Sequence, residues 1–397
     1  MENNMIQQTF DSWDDEIAED VKSNLHELAN IIVTSRDWTV ETIISQIGKG
    51  NIDLNPKFQR RNAWDDSRRS RLVESLIIGM PVPEIVLAEN PTEKGAFIVI
   101  DGKQRLTTII GFINENKQGN NYWDKPKLKG LKTRKDLNGL VFSELSKNPK
   151  YSAELTRFYN HDIRCTIITG FKTQDVLYDI FYRLNTNSVP LSTQELRQVL
   201  NKGPFADYLV DITGSKQPLH TVLGLQGPDN RLKDAELILR FFSLVFLGKT
   251  YKSNLRKFLD ESMAEINAHW DEYEKKVNEL YKEFNQAIKL LEMVFGKENV
   301  GRKFTDNQWD KNFNRVLFEV EVYYFRHLLK LKMSKEDKAK FVEEYKNLCG
   351  KDMDFRRSIE LSTKDTGQYN LRYKKFLAMV NKVFKTKITE IPVQVQP

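Results

Sequence analysis

The sequence predicts an α+β fold in its first part, followed by a mainly helical second part. Two observations lead to this prediction. Over the first ~170 residues, short β-branched segments that suit strands alternate with segments of helical spacing, which is typical of a compact mixed unit. From about residue 230 onward the strand signals fade, and apolar residues recur at intervals of three and four.

Caps and apolar spacing define the first helices. Thr39 can cap a helix whose apolar face begins at Val40 and which ends near Gly48. A second helix over 65–79 has an apolar face of leucine, valine and isoleucine and stops at a glycine. Upstream of both, the pattern suggests only a helix around Val21–Val33.

β-branched segments define the strands. A short strand with a following loop is predicted within 51–64, and longer strands are predicted at 84–90, 96–101 and 162–169. Further along, Ser192 and Glu195 fit a capping box for a helix. Helical spacing then runs through the segments 234–247, 253–295, 307–331 and 369–384.

These signals divide the chain into an N-terminal extension (1–37), a first domain (38–225) and a helical domain (226–397). A length of 397 residues is consistent with two domains. The net charge of +6 permits an anionic partner without requiring one. Two cysteines form no disulfide framework, and no apolar run is long enough to cross a bilayer, so we expect a cytoplasmic protein with no membrane partner.

The stretch "VIDGKQRLTTIIGFI" joins a strand to a helix through a short polar turn. The first turn of a helix offers N–H groups and a positive dipole end. Gly102 lets a ligand approach the backbone, and Arg105 offers a fork suited to phosphate oxygens. Asp101, at the end of the strand, can hold Mg²⁺ or orient a water. The turn therefore predicts a phosphate site. The alternative is a capped turn in which Asp101 satisfies the helix N–H groups and Arg105 pairs with it.

A basic cluster follows the first predicted helix, at residues 55–71. Its six cations are interleaved with Phe58 and Trp64, which suits phosphate contact combined with base stacking. Within it, Arg68, Arg69 and Arg71 are better explained as a solvated helix face. Gln59, Arg60 and Arg61 lie outside any regular pattern, and Lys57 and Trp64 are candidate nucleic-acid contacts.

A second basic cluster, "KPKLKGLKTRK" (125–135), contains six basic and no acidic residues. A solvated loop explains this composition. A nucleic-acid contact through Lys125, Lys127 and Lys129 is the open alternative.

Four segments in order resemble the N-terminal domain family of GmrSD-type restriction endonucleases, part of the wider ParB/sulfiredoxin-like superfamily. They are "NPKFQRRNAW", "RLVESLIIGMPVPEIVLAE", "VIDGKQRLTTI" and "FYRLNTNSVPLSTQELRQ". The family's Asp-Gly-Gln-Gln-Arg signature reads Asp101-Gly102-Lys103-Gln104-Arg105 here, with lysine at the third position. The resemblance covers roughly residues 38–200.

The resemblance implies a ParB/sulfiredoxin-like first domain that binds a nucleoside triphosphate, with hydrolysis attributed to the signature turn. Asp101 and Arg105 would then be catalytic, with Mg²⁺ on Asp101. It also implies a role in restricting foreign DNA. The residues that would bind nucleotide or phosphate are Gly102, Lys103, Gln104, Gln59, Arg60, Arg61, Asn185 and Arg197; Glu195 matches the same block as the last two.

Three functions remain open at this point. The leading one is an NTP-hydrolysing module of a prokaryotic restriction or anti-phage system that acts on DNA, with a separate nuclease subunit; a homo-oligomer is compatible with it. The second is a metal-dependent nuclease that uses the Asp101 turn, and the third is a non-enzymatic DNA-binding or regulatory protein. None of the five histidines has the context of a His-Asn-His nuclease, which many relatives carry as a second domain.

Overall fold

The computed structural model describes residues 31–54, 64–90, 93–114, 122–171, 174–184 and 192–393. The described residues fall into two compact units, one over 31–184 and one over 192–393. The first contains a sheet with helices, and the described part of the second is almost wholly helical, which confirms the predicted α+β class with a helical C-terminal region.

A five-stranded mixed sheet forms the centre of the first unit. Its strands are β1 (Ile32–Thr39), β2 (Ile52–Asp53), β3 (Ile85–Glu89), β4 (Phe97–Asp101) and β5 (Asp162–Thr169). They lie in the order β1-β5-β3-β4-β2. The β1–β5 and β3–β4 pairs are antiparallel, and the β5–β3 and β4–β2 pairs are parallel. All four strands predicted from the sequence lie in this sheet.

Strand β1 corrects the expected helix around Val21–Val33. Ile32 and Val33 lie in an eight-residue edge strand that pairs with β5, and they are 57 % and 60 % exposed. A strand whose residues are largely exposed lacks the alternation of apolar and polar residues that reveals a half-buried strand. Residues 21–30 lie outside the described part of the chain.

The first unit also contains helices. They are α1 (Val40–Gly48), α2 (Asp66–Ile78), α3 (Lys103–Ile113), α4 (Phe142–Lys147), α5 (Ser152–Asn160) and α6 (Gln174–Leu184). The side chain of Thr39 caps α1, and Gly79 ends α2 with a φ of 79°, as predicted. Val73 of α2 and Leu106 of α3 share one buried core with Leu87 of β3. This core fixes α2 and α3 against the sheet.

The second unit contains helices and one two-stranded hairpin within its described residues. The elements are α7 (Thr193–Leu200), α8 (Pro204–Ile212), α9 (Pro218–Val222), α10 (Lys233–Leu247), α11 (Leu255–Ala268), α12 (Trp270–Phe295), β6 (Phe304–Thr305), β7 (Gln308–Trp309), α13 (Arg315–Phe325), α14 (Lys335–Lys351), α15 (Met353–Glu360) and α16 (Thr366–Phe384). The predicted capping box of Ser192 and Glu195 is present at α7.

Two details of the second unit differ from the prediction. The segment 253–295 is two helices, because the chain breaks at His269 between α11 and α12. The segment 307–331 begins in the hairpin, and its helix starts only at Arg315, after the capping residue Asn314. No helix in the described residues is long and apolar enough to cross a membrane.

Candidate functional site

The predicted turn is present between β4 and α3. Asp101 is the last residue of β4, and Gly102 follows in the left-handed region with a φ of 94°. A Cβ atom on Gly102 would lie 2.9 Å from Cγ1 of Ile85 and 3.3 Å from Nη2 of Arg105. Glycine is therefore required both for the backbone conformation and for the close approach of β3.

An irregularity in strand pairing lies next to this turn. Val86 pairs with Asp101, whereas the next residue, Leu87, pairs with Val99. Strand β4 thus holds one more residue than β3 over this interval, which is the arrangement of a β-bulge. Bulges of this kind redirect side chains, and here the bulge sits where Asp101 leaves the sheet.

Arg105 is fixed at the turn by two hydrogen bonds. Its Nη2 donates to Oδ2 of Asp101 and to the backbone oxygen of Glu84, each at 2.8 Å. The Arg105 side chain is only 10 % exposed, whereas that of Asp101 is 32 % exposed. Nε of Arg105 is buried and has no hydrogen-bond partner. The turn therefore presents an accessible carboxylate held beside an oriented guanidinium.

Of the two contacts in the capped-turn alternative, the structure shows one. Arg105 does pair with Asp101, but Asp101 does not cap the helix. The N-cap residue of α3 is Gly102, and no side-chain hydrogen bond caps this end. The positive end of the α3 dipole therefore coincides with the Asp101–Arg105 pair.

Trp64 lies beside the same turn. Its backbone N–H donates to Oε1 of Gln104 at 3.1 Å, and its ring lies 4.6 Å from the guanidinium carbon of Arg68. The turn and the start of α2 are thus connected directly. The predicted site residues just before Trp64, namely Lys57, Gln59, Arg60 and Arg61, lie outside the described residues.

The lysine-rich segment 125–135 is anchored on α2. Nζ of Lys129 lies 2.8 Å from Oδ2 of Asp66, and its backbone N–H donates to Oγ of Ser70 at 3.0 Å. A carboxylate oxygen of Glu74 accepts from two further backbone N–H groups of this segment, at Thr133 and Arg134. The segment is therefore held in place by its backbone.

Exposed lysine side chains and a cleft occupy the outer surface of this segment. Lys125, Lys127 and Lys129 are exposed, whereas Leu128 is buried beneath them. A cleft of about 410 Å³ is lined by Asp66, Lys127, Leu128, Lys129, Gly130, Asn138 and Gly139. Because Asp66 is two residues from Trp64, the cleft and the Asp101 turn adjoin the same N-terminus of α2.

Arg69 corrects the interpretation of α2 as carrying a solvated arginine face. Arg68 and Arg71 are exposed as predicted, but Arg69 is only 5 % exposed. Its guanidinium carbon lies 5.5 Å from the ring centroid of Trp123, and burial lowers the pKa of Arg69. The burial of Arg69 could not be predicted from the sequence, because Arg69 contacts a residue 54 positions away that packs against α3.

The site residues predicted in the last matching segment lie in the second unit or outside the described residues. Arg197 is fully buried in the second unit, where its Nε donates to Oδ1 of Asp260 at 2.6 Å. Glu195 accepts from the backbone N–H of Ser192, which is a structural role in the capping box. Asn185 lies outside the described residues.

The fold and the site define an α+β domain with a turn suited to phosphate and a neighbouring basic cleft. Residues 40–200 match the family model described as the GmrSD restriction endonuclease, N-terminal domain. This match confirms the resemblance of this segment to the GmrSD N-terminal domain family. Neither the curated proteins nor the solved structures contain a match to the chain.

Proposed function

We propose that the chain is a nucleotide-dependent module of a prokaryotic restriction or anti-phage defence system that acts on DNA. The family match supports this proposal, since the matched model describes a domain of a restriction endonuclease. In this proposal the first unit has a ParB/sulfiredoxin-like fold, and a separate protein supplies DNA cleavage. The Asp101 turn binds a nucleoside triphosphate and hydrolyses it.

The observation that carries the proposal is the Asp101–Arg105 pair at the start of α3. An arginine fork binds phosphate oxygens well, and the helix dipole favours negative charge at the same point. Arg105 is already oriented by Asp101 and Glu84, so little side-chain entropy is lost when an anion binds. Asp101, one-third exposed, is placed to orient the attacking water.

The turn also fits Mg²⁺ as a phosphate-bound ion. Mg²⁺ is usually held by one or two carboxylates together with phosphates and waters. Asp101 supplies one accessible carboxylate, and no group of three metal-binding side chains occurs among the described residues. When bound with a triphosphate, the ion would neutralise phosphate charge.

DNA contact is assigned to the basic cleft beside the turn. Lys127 and Lys129 line it, and Lys125 and Trp64 lie in the segments that flank α2 and the cleft. Exposed lysines on a fixed backbone attract phosphates without sequence preference. Nucleotide and DNA would then meet around the N-terminus of α2.

The test is to incubate the pure chain with each nucleoside triphosphate and Mg²⁺, with and without DNA, and to measure released phosphate. We expect turnover of one or more triphosphates. Metal-dependent plasmid cleavage with no added nucleotide would instead identify a nuclease. Tight binding of nucleotide or DNA without turnover of either would identify a regulatory protein.

A further inference from the structure

A second cleft lies on the helical unit, between the short helix α9 and the last turns of α12. Its volume is about 790 Å³. Most of the residues that line it are polar or charged, namely Lys216, Gln217, Thr221, Lys289, Glu292 and Lys297. Polar groups lose hydration when an apolar ligand covers them, so this lining suits a charged ligand that forms hydrogen bonds.

The cleft carries an excess of positive charge. Lys216, which precedes α9, lies on one side, and Lys289 of α12 and Lys297, just after α12, lie on the other. Glu292 is the acidic residue among those that line the cleft. All three lysines are exposed, and within the described part of the chain none of them forms an ion pair. Their charge is therefore available to an anionic ligand.

Buried contacts fix the backbone on both sides of the cleft. The Gln217 N–H donates to Nδ1 of His220 at 2.9 Å, and the other ring nitrogen of His220 lies 2.8 Å from Oδ2 of Asp234. His220 and Asp234 are fully buried, which anchors α9 in the interior. Ile288 and Leu291 of α12 are fully buried as well. A bound ligand therefore orders mainly the lysine side chains, which limits the entropic cost of binding.

We propose that this cleft binds the phosphate backbone of DNA and is a second DNA contact of the chain, on the helical unit. A DNA backbone carries closely spaced phosphates, so cations on both sides of one cleft match it without any contact to the bases. Gln217 and Thr221 add side chains of the types that donate hydrogen bonds to phosphate and sugar oxygens. The choice of DNA among polyanions rests on the proposed function, since the matched family model describes a restriction endonuclease. The contact requires no nucleotide turnover at Asp101.

The salt dependence of DNA binding tests this contact. The full chain and its variant Lys216→Ala/Lys289→Ala/Lys297→Ala are titrated into a fluorescent DNA duplex over a salt series, with anisotropy as the readout. Each lost phosphate contact removes about 0.9 from the slope of log K against log salt, so the slope should fall by about two to three in the variant.

The matched control is Lys330→Ala/Lys332→Ala/Lys335→Ala, which removes the same charge from exposed lysines of the same unit outside the cleft. It should leave the slope nearly unchanged, which separates a contact in the cleft from an effect of net charge. Thermal melts should show that both variants are folded.

Acetylation of the lysines locates the contact on the unmodified chain. The protein is treated briefly with acetic anhydride, with and without the duplex, and the modified peptides are quantified by mass spectrometry. We expect DNA to reduce the acetylation of Lys216, Lys289 and Lys297 and to leave that of Lys330 and Lys332 unchanged.

The outcomes separate this contact from the proposed function. Equal slopes in the two triple variants, or cleft lysines that stay reactive in the presence of DNA, would overturn the contact and leave the one at Lys127 intact. Equal protection of the cleft lysines by polyglutamate would indicate an acidic protein as the ligand and would also overturn it. A chain that binds no DNA would overturn both DNA contacts. A chain that binds DNA but releases no phosphate from nucleoside triphosphates would overturn only the proposed turnover.

Discussion

Gly102 is the residue on which the geometry of the turn depends. Its φ of 94° is strained for any other residue, and a Cβ atom would press on Ile85 and Arg105. Gly79 also has a positive φ, of 79°, but a Cβ there would meet nothing within 4 Å. A substitution at Gly79 therefore tests backbone strain alone, whereas a substitution at Gly102 tests backbone strain together with crowding.

We expect Gly79→Ala to destabilise the protein by about 1–2 kcal/mol through backbone strain alone. Gly102→Ala adds overpacking against β3, which costs about 1–3 kcal/mol more. It should also displace Arg105 and weaken nucleotide binding, whereas Gly79→Ala should bind normally. Thermal melts and calorimetric nucleotide titrations measure both effects. Equal stability and equal binding in the two variants would contradict the close approach at Gly102.

Asp101 and Arg105 should act in different ways during nucleotide turnover. Arg105→Ala should weaken nucleotide binding by about 1.5–3 kcal/mol, the value of a charge-assisted hydrogen bond. This corresponds to roughly tenfold to a hundredfold in affinity. Asp101→Asn keeps the size and one acceptor for Arg105, so it should lower turnover more than binding.

Asp37→Asn is the control for these two variants. Asp37 also pairs with an arginine, Arg164, but on the exposed β1–β5 edge. It should leave binding and turnover unchanged. Normal binding and turnover in folded Asp101→Asn and Arg105→Ala would remove the proposed site from this turn.

At the residue scale, the sequence predicted which residue types meet at the turn and which of them are charged. The strand–glycine–helix pattern was local, so it could be read directly. The partners of Arg105 and Trp64 could not be read in the same way. Glu84 O and Gln104 Oε1 lie 21 and 40 positions away, and only the packing of α3 beside β3 and α2 brings them into contact.

The lysine-rich segment shows how an element can be fixed and charged at once. Its backbone is held by Ser70 and Glu74, so its lysines keep a constant arrangement. Lys129 is partly neutralised by Asp66, whereas Lys127 lines the cleft without such a pair among the described residues. Lys127 is therefore the stronger candidate for phosphate contact.

We expect Lys127→Ala to reduce the salt dependence of DNA binding. Each phosphate contact contributes about 0.9 to the slope of log K against log salt for duplex DNA, so the slope should fall by about one. Lys132→Ala, an exposed lysine of the same segment outside the cleft, should change the slope little. Fluorescence anisotropy over a salt series measures the slope for each variant. An unchanged slope in Lys127→Ala would show that Lys127 does not contact DNA phosphate and would favour the interpretation of this segment as a solvated loop.

Glu74 holds the backbone of the lysine-rich segment 125–135 on α2. Glu74 is 8 % exposed, and one of its carboxylate oxygens accepts both the Thr133 and the Arg134 N–H. Glu74→Ala removes both bonds and should raise amide hydrogen exchange across the segment. Glu74→Gln keeps an acceptor oxygen and should raise it less. Equal exchange in both variants would show that Glu74 does not hold the loop.

Elements with a buried face were predicted well, and elements without one were not. The strands β3, β4 and β5 are rich in buried β-branched residues, and the helices α1 and α2 have clear caps. Strand β1 is mostly exposed and is specified by its pairing with β5 instead. The β6–β7 hairpin depends on positive φ angles at Asp306 and Asn307, which apolar spacing does not reveal.

At the scale of the whole molecule, the second unit buries charge as well as aromatic rings. Arg240 pairs at 2.8 Å with Glu236 and with Glu319, which joins α10 to α13, and the Tyr369 hydroxyl donates to Glu319 at 2.7 Å. Such pairs specify one arrangement of helices, since a wrong register would leave a buried charge unpaired. The overall class could be predicted from spacing, but this network could not.

Glu321, on α13, is a buried carboxyl whose surroundings favour its protonated form. Its Oε2 accepts from the Gly301 N–H at 2.8 Å. The Tyr345 hydroxyl lies 2.8 Å from both Oε1 of Glu321 and the backbone oxygen of Arg302. The hydrogen bonds that Glu321 accepts from Tyr345 and Gly301 favour its ionised form, but burial outweighs them and raises the pKa of Glu321 to about 8.

This carboxyl should make the unfolding free energy depend on pH. The folded protein keeps the Glu321 proton up to about pH 8, whereas the unfolded chain releases it at the ordinary pKa of 4.5. Between these values the folded state binds more protons, so stability falls as pH rises, with a slope of at most about 1.4 kcal/mol per pH unit. Glu321→Gln lacks this proton and its slope. Its stability relative to the unmodified protein should therefore improve steadily from about pH 5 to about pH 8 and then level off.

Glu343→Gln, on an exposed position of α14, should show no such trend. Urea unfolding of the three proteins across this range measures the difference, and parallel curves for the unmodified protein and Glu321→Gln would show that Glu321 is ionised in the fold.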